Sequence, residues 1–314
     1  MEEQVYTVSQ FVKDTQYTVF LLVKSSDKRT GKNGSQYIDM NLADRTGEIN
    51  CKQWDGNATA PKPGSVVKVQ GRVEEYNGRL QMRIERIRPA TSEDPVDMKQ
   101  LTQCAPETPE KMLGEIRGTV ENFADEDLKK LVTEMMRLAG EELTYYPAAQ
   151  RMHHAERSGL LHHTTSMLRL AKGILEVYPW MNRDLLLAGV IIHDLGKINE
   201  MKSDEMGNVA DYTAEGQLIG HLVRGVTTLN KAAETVGVSG ETVLLLEHML
   251  LSHHGESEYG SPKPPMFAEA EALHWLDMMD ARLNAFEAVV KRTPVGAFSE
   301  KIISLDRRVY HPKY

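Results

Sequence analysis

The spacing of apolar residues changes once along this chain, near residue 90, and the change limits the possible folds. Before it, five short segments show partial alternation of apolar and polar side chains, as at Ile38, Met40 and Leu42. Turn sequences with Gly, Asn, Asp or Pro separate the segments. Alternation bounded by such turns predicts β-strands. The expected strands are YTVFLLV, QYIDMNL, GEINCKQW, SVVKVQG and LQMRIERI.

Beyond a proline-rich stretch at 89–110 the apolar spacing becomes helical. In DEDLKKLVTEMMRLAG the apolar residues share one helical face, and Asp125 is placed to cap the helix. Strand signals are scarce from there on, so we expect the second domain to be all-α. The sequence predicts a β-barrel domain over residues 1–90, a linker with leading helices over 91–145, and a mostly α-helical domain over 146–314.

Composition and charge narrow the class of protein. With 41% hydrophobic residues and no apolar run near the roughly 18 residues of a membrane helix, we expect a cytoplasmic protein without a membrane partner. Cys51 and Cys104 form no CxxC motif, which argues against a thiolate zinc site. The net charge of −8 is unevenly distributed, because residues 1–90 carry 14 basic and 11 acidic side chains. A mildly basic module therefore precedes a strongly acidic one.

The histidines form an ordered series with an aspartate at its end. Ten of the eleven lie between residues 153 and 274, and the series has gaps of 30, 28, 32 and 24 residues. Each gap is about one helix plus a connection, so successive helices could direct one ligand each to a common centre. Imidazole and carboxylate ligands without thiolate suit Mn²⁺, Fe²⁺, Co²⁺ or Zn²⁺. The series is His163, His193, His221, His253 and Asp277.

Five strands in about 75 residues suit an OB-fold, the small barrel that binds single strands. This half resembles the tRNA-anticodon type of OB-fold. Such barrels stack bases on exposed aromatic rings beside basic residues. The candidate surface is Tyr37, Trp54 and Tyr76 with Lys28, Arg29, Lys32, Lys52, Arg79 and Arg83. The alternative is that the aromatic rings fill the barrel, as we expect for Phe20.

The motif HDLGK, with GLLHHT, EGQLIGH and SHHGE around it, resembles the pattern of HD-domain metal-dependent phosphohydrolases. Behind an OB-fold it resembles the YhaM-type 3′-to-5′ exoribonucleases of bacteria over nearly the whole chain. The resemblance implies that Asp194 bridges two metal ions. The core ligands that it implies are His163, His193, Asp194 and Asp277. The residues that would complete a second site are His221, His253 and His254.

Several positions near this motif remain alternatives. The family's motif favours His163 over His162 and Asp277 over Asp280, and Asp280 is kept as the alternative ligand. One of His153 and His154 is expected to face the site. Lys197, one turn after His193 on the expected helix, is predicted to reach a phosphate and to act with Asp194 in catalysis. The isolated His248 and His311 are interpreted as structural, and so is His274, although it lies one helical turn before Asp277.

Two neighbouring cations can activate a water and stabilise the leaving oxygen of a phosphodiester. The chain has no P-loop and no GxGxxG. Together with this chemistry, the resemblance implies a 3′-to-5′ exoribonuclease that uses two divalent ions, Mn²⁺ before Co²⁺, Fe²⁺ or Zn²⁺. It would release nucleoside monophosphates from single-stranded RNA and also accept single-stranded DNA. A homo-oligomer is compatible with the sequence.

Two other functions stay open at this stage. One is a nucleotide or cyclic-nucleotide phosphohydrolase, although the sequence HHGESEYGSPKPP lacks the GYP signature of the cyclic-dinucleotide enzymes. The other is a nucleic-acid-binding protein with a vestigial HD site. The complete ligand series disfavours that second alternative.

Overall fold

The computed structural model describes residues 6–31, 34–55, 58–76, 78–150 and 154–314. Lys32 and His153, both named above, lie outside the described residues. The chain divides into two compact units, Met1–Cys104 and Ala105–Tyr314. A five-stranded barrel followed by a mostly helical region confirms the predicted fold class.

The first unit is a closed barrel with the strand order β1-β2-β3-β5-β4. Closure depends on β1, which pairs with β4 from Gln16 to Leu22 and with β2 from Leu22 to Thr30. At Gly71, where the pairing of β4 with β5 shifts register, a Cβ atom would lie 2.6 Å from the carbonyl oxygen of Arg83. The strands are β1 Gln16–Thr30, β2 Gln36–Asp44, β3 Gly47–Gln53, β4 Val66–Tyr76 and β5 Arg79–Pro89. A short helix, α1 Met98–Leu101, follows in the same unit.

Two expectations for the barrel were wrong in detail. The first expected strand, YTVFLLV, ends at Val23, but β1 continues through Thr30 because Arg29 and its neighbours pair with β2. Phe20 was expected in the core, but it is only half-buried and the ammonium of Lys68 lies 5.2 Å from its ring centroid. Val19 and Leu21 fill the core instead, since side chains alternate between the two faces of a strand.

The second unit is mostly helical, with a two-stranded hairpin that corrects the all-α expectation. As predicted, Asp125 caps its helix, by accepting from the backbone N–H groups of Asp127 and Leu128. The helices are α2 Pro109–Glu121, α3 Glu126–Ala139, α4 Gly159–Val177, α5 Arg183–Ile192, α6 Lys197–Glu200, α7 Ala214–Leu218, α8 Gly220–Val236, α9 Glu241–Ser252 and α10 Ala268–Arg292. The hairpin strands are β6 Met201–Ser203 and β7 Val209–Tyr212.

Helix α5 lies at the centre of this unit. Its residues from Asp184 to Ile192 are all buried, and it packs against α3, α4, α9 and α10. A helix that is apolar on every side is stable only when it is surrounded by others. Its C-terminus therefore delivers His193 and Asp194 into the interior of the unit. In the part of the chain that the structure describes, no helix has both the length and the apolar character needed to cross a membrane.

Candidate metal centre

Two of the predicted ligands directly follow the last residue of a helix. His193 follows α5 and His253 follows α9. The Nδ1–H group of His193 donates to the carbonyl of Val190 at 2.9 Å, and that of His253 donates to the carbonyl of Leu250 at 2.9 Å. These bonds satisfy carbonyls that a helix end leaves without partners, and they leave the Nε2 lone pair of each ring for a cation. The helix dipoles favour positive charge at the same place.

Three side chains lie close to one carboxylate oxygen of Asp194, and Asp277 lies close to one of these three. The Oδ2 atom of Asp194 lies 3.7 Å from Nε2 of His163 and 3.4 Å from Nε2 of His193. The Oδ1 atom of Asp277 lies 3.3 Å from Nε2 of His163. Lys197 places its Nζ atom 2.7 Å from the same Oδ2. His163, His193 and Asp277 together form a group whose spacing can hold a metal ion.

The other carboxylate oxygen of Asp194 faces a second group of histidines. Its Oδ1 atom lies 3.6 Å from Nε2 of His221 and 3.7 Å from Nε2 of His253. These three atoms are buried and lack a hydrogen-bond partner among the described residues. His254 completes a group with His221 and His253 that is close enough to hold an ion. Buried polar atoms without partners are costly, and a cation between them would satisfy all three, so the donor set fits a divalent metal.

Carboxylates behind the histidines orient the rings. Asp280 accepts from Nδ1 of His163 at 2.7 Å, and Glu200 accepts from Nδ1 of His221 at 2.9 Å. A histidine that ligates a metal usually donates its second N–H group in this way. The sequence did not identify Glu200, because it lies on α6 and no spacing pattern links it to His221. Asp280, kept as an alternative ligand, lies behind His163 instead.

The charge states of the site suit cation binding. Burial lowers the pKa of His253 to about 3, so its ring is neutral near pH 7. Burial raises the pKa of Asp194, but Lys197 and His193 outweigh that effect and hold the pKa well below its usual range. Burial lowers the pKa of Lys197, yet Asp194 and Asp277 raise it further, so the lysine stays charged.

The position of Lys197 corrects one expectation. Helix α5 ends at Ile192, and Lys197 begins the separate short helix α6 after a turn. The turn brings Lys197 back over Asp194, because its N–H group donates to the Asp194 carbonyl at 3.0 Å. Gly196 allows α8 to approach, since a Cβ atom there would lie 2.5 Å from the carbonyl oxygen of His221. The glycine of HDLGK therefore serves close packing beside the site.

His162 and His154 lie beside the centre rather than in it. His162 contacts Glu156, and His154 contacts Asp280, each at 2.7 Å. His274, interpreted as structural, donates from Nδ1 to the carbonyl of His253 at 2.8 Å. His248 accepts from the backbone N–H of Met266, and His311 donates to the carbonyl of Thr293.

The structure brings most of the predicted nucleic-acid-binding residues together on one outer face of the barrel, whereas Lys28 pairs with the buried Ile38 and lies on the opposite side of the strand. The rings of Tyr37 and Trp54 stack with centroids 4.6 Å apart. The ammonium of Lys52 lies 5.6 Å from the ring centroid of Tyr37 and 5.5 Å from that of Tyr76. Arg79 lines the same groove as Lys52 and Tyr76. Arg83 lies opposite Lys52 in the pairing of β3 with β5. Arg29 forms an ion pair with Asp39 at 3.3 Å.

Comparisons with known proteins agree with both units. An OB-fold nucleic acid binding domain of the tRNA-anticodon family matches residues 18–90, and an HD domain matches residues 160–282. The 3′-5′ exoribonuclease YhaM of Listeria monocytogenes is 42% identical over 301 residues, 94% of this chain and 95% of that protein. YhaM of a Geobacillus species is 40% identical, covering 94% of this chain and 91% of that protein. YhaM of Bacillus subtilis is 39% identical, covering 93% of each.

Proposed function

Since this chain belongs to the YhaM family of 3′-5′ exoribonucleases, we propose that it is a metal-dependent enzyme that shortens single-stranded RNA from the 3′ end. Its products would be nucleoside monophosphates. Single-stranded DNA would also be a substrate. Among the described residues of the barrel face and the candidate metal centre, we identify none that would select for a 2′-OH group.

The observation that carries the proposal is the arrangement of ligands around Asp194. One carboxylate oxygen faces the group with His163, His193 and Asp277, and the other faces the group with His221 and His253. A carboxylate between two such groups is suited to bridging two ions. When bound, a pair of divalent cations supplies Lewis acidity for in-line displacement at phosphorus. The nitrogen-rich set suits Mn²⁺, Fe²⁺, Co²⁺ or Zn²⁺.

The chain's own residues have distinct tasks in this proposal. Lys197 keeps its charge while nearly buried, with 12% of its side chain exposed, so it can hold a non-bridging phosphate oxygen by charge. Asp280 and Glu200 keep the rings of His163 and His221 in one tautomer. Asp277, with 17% of its side chain exposed, lies where the centre meets solvent. These groups position the scissile phosphate without forming a covalent intermediate.

The barrel favours an unpaired strand as the substrate. Exposed rings beside cations stack on bases of any sequence, whereas paired bases are not free to stack on protein. The sequence carries no ATP-binding motif to drive unwinding. Entering a duplex costs about 1.4 kcal/mol of stacking per base-pair step in DNA. We therefore expect the enzyme to slow at stable stems.

A labelled-strand assay tests this function. The substrates are a 5′-labelled RNA with a stable internal hairpin, the same RNA with a blocked 3′ end, a matching DNA, and free cyclic nucleotides. With Mn²⁺, the unblocked strands should shorten stepwise from the 3′ end and pause at the stem. Chelation should stop the reaction. Asp194→Asn should reduce the rate by more than about 100-fold, because even outer partners of metal ligands contribute about 10- to 100-fold.

The control variant is Asp211→Asn, which removes an exposed carboxylate of β7 by the same chemical change. It should cleave at the wild-type rate. Rapid internal cutting of the blocked RNA would identify an endonuclease instead. Faster hydrolysis of free cyclic nucleotides than of strands would favour a nucleotide phosphohydrolase. Full activity in chelator would contradict metal dependence.

A further inference from the structure

Beside the metal centre, His154, Glu156 and His162 place three possible metal-ligand atoms close to one another. Nδ1 of His154 lies 3.0 Å from Nδ1 of His162, and Nδ1 of His162 lies 2.7 Å from Oε1 of Glu156. The third separation, from Nδ1 of His154 to Oε1 of Glu156, is 3.8 Å. Ligands of one transition-metal ion at about 2.0 to 2.2 Å each lie about 3.0 to 3.5 Å apart. The observed separations, from 2.7 to 3.8 Å, differ from that range by about 0.3 Å at either end.

The hydrogen positions leave lone pairs that suit a cation. Nε2 of His154 lies 2.7 Å from Oδ2 of Asp280, and an ionised carboxylate only accepts, so Nε2 carries the hydrogen. Nδ1 of a neutral His154 is therefore an acceptor. The amide nitrogen of Asn284 lies 3.4 Å from it. The single hydrogen on Nδ1 of a neutral His162 cannot point at both Glu156 and His154, whereas one cation between the three atoms would bond all of them.

Burial and backbone conformation hold the group in place. The exposed fractions of the side chains are 1% for His154, 9% for Glu156 and 17% for His162. His154 adopts a φ of 50°, in the left-handed region that non-glycine residues rarely occupy. Its N–H group donates to Oδ1 of Asn284, and its carbonyl accepts from Ala148. Such strain persists only where surrounding contacts impose it, often at functional sites.

From this geometry we propose that His154, Glu156 and His162 form an additional binding site for a divalent transition-metal cation. It is separate from the two groups around Asp194. Two imidazoles and one carboxylate favour Zn²⁺, Co²⁺ or Fe²⁺ over Mg²⁺ or Ca²⁺. Water would complete the coordination, entering on the side where His162 is exposed.

The site goes beyond the proposed hydrolysis, and Asp280 connects it to the catalytic centre. The Oδ2 atom of Asp280 lies 2.7 Å from Nε2 of His154 and 2.7 Å from Nδ1 of His163. One carboxylate thus orients a histidine of each centre. Nδ1 of His163 is occupied by this bond, and its Nε2 faces Asp277, so His163 is assigned to the centre at Asp194.

A cobalt titration of the full chain tests the proposal. The chelator-stripped protein is titrated with Co²⁺, and bound metal is counted by elemental analysis while visible absorption is followed. Glu156→Gln and His162→Gln should each bind one cation fewer per chain than the wild type. The matched variants Glu234→Gln, at an exposed position of α8, and His311→Gln, in the C-terminal tail, should bind as many as the wild type.

The same comparison in an Asp194→Asn background separates this proposal from the proposed function. The loss of one cation caused by Glu156→Gln should persist there, whatever happens at the catalytic centre. A wild-type crystal soaked in Co²⁺ should show an anomalous peak between His154, Glu156 and His162, which keeps the test valid if a variant fails to fold. Equal metal content in folded wild type and variants, or no peak at that position, would overturn the proposal.

Discussion

At the scale of single residues, the hydrogen bond from Nδ1 of each ligand histidine matters for the site as much as Nε2, the atom that faces the centre. His193 and His253 donate from Nδ1 to backbone carbonyls, whereas His163 and His221 donate from Nδ1 to carboxylates. In each case the bond fixes the tautomer and directs Nε2 towards Asp194. The ligand geometry is therefore set before any cation arrives, which lowers the cost of binding one.

Glu200 gives a prediction at this scale. Burial raises the pKa of Glu200, but its hydrogen bond to His221 outweighs that effect and keeps the carboxyl ionised. Glu200→Gln keeps the shape but removes the charge behind His221. We expect the affinity for the divalent ion held by His221 to fall about 10- to 100-fold, as calorimetry on stripped protein would measure. Glu234→Gln, at an exposed position of the helix that carries His221, should leave the affinity unchanged. Equal affinities in both variants would assign Glu200 a purely structural role.

At the scale of secondary-structure elements, an ion-pair network joins the start of α2 to α4. Glu107 accepts from Nη1 of Arg169 at 2.9 Å and lies 3.0 Å from Nζ of Lys111. Hydrogen bonds from Arg169 and then Lys111 lower the pKa of Glu107 from 4.5 to about 2. The network thus connects two helices that are neighbours in space but far apart in sequence.

This lowered pKa predicts how stability depends on pH. A carboxyl whose pKa is lower in the folded state stabilises fully above its unfolded value, and the contribution is lost as pH falls from about 4.5 to about 2. Glu107→Gln should lower the urea midpoint of the helical unit at pH 7 and converge with the wild type near pH 2. Lys172→Gln, which removes a neighbouring cation on α4, should retain the wild-type acid dependence. An unchanged difference across the whole pH range would contradict the assignment.

At the scale of the whole molecule, the proposed function divides strand binding and hydrolysis between the two units. Trp54 is 49% exposed and stacks on Tyr37 in the barrel, while Trp180 is 72% exposed in the helical unit. Trp54→Ala should weaken binding of single-stranded RNA by about 5- to 150-fold, because stacking of one base on an aromatic ring contributes about 1 to 3 kcal/mol. Cleavage of a dinucleotide should be unaffected. Trp180→Ala is the control, and equal binding by the two variants would exclude this barrel face as the strand-binding surface.

Much of this organisation was readable from the sequence, because it depends on local periodicity. Alternation predicted the five strands, helical spacing predicted α3 with its Asp125 cap, and the ordered histidine series indicated one centre. These signals arise within a few residues or along regular intervals, so one chain suffices to show them. The expectation for Phe20 was wrong because several consecutive residues of its strand are apolar. In such a run, alternation does not show which side chains face the core.

Tertiary structure alone decided the partners that come from different elements. Glu200 behind His221, Asp280 between His163 and His154, and Glu156 beside His162 are contacts between side chains that no repeat interval joins. Which oxygen of Asp194 faces which histidines also depends on how α4, α8, α9 and α10 pack around the end of α5. The sequence determined which side chains could hold cations. Helix packing determined which of them meet, because it sets distances of a few ångströms that sequence spacing does not encode.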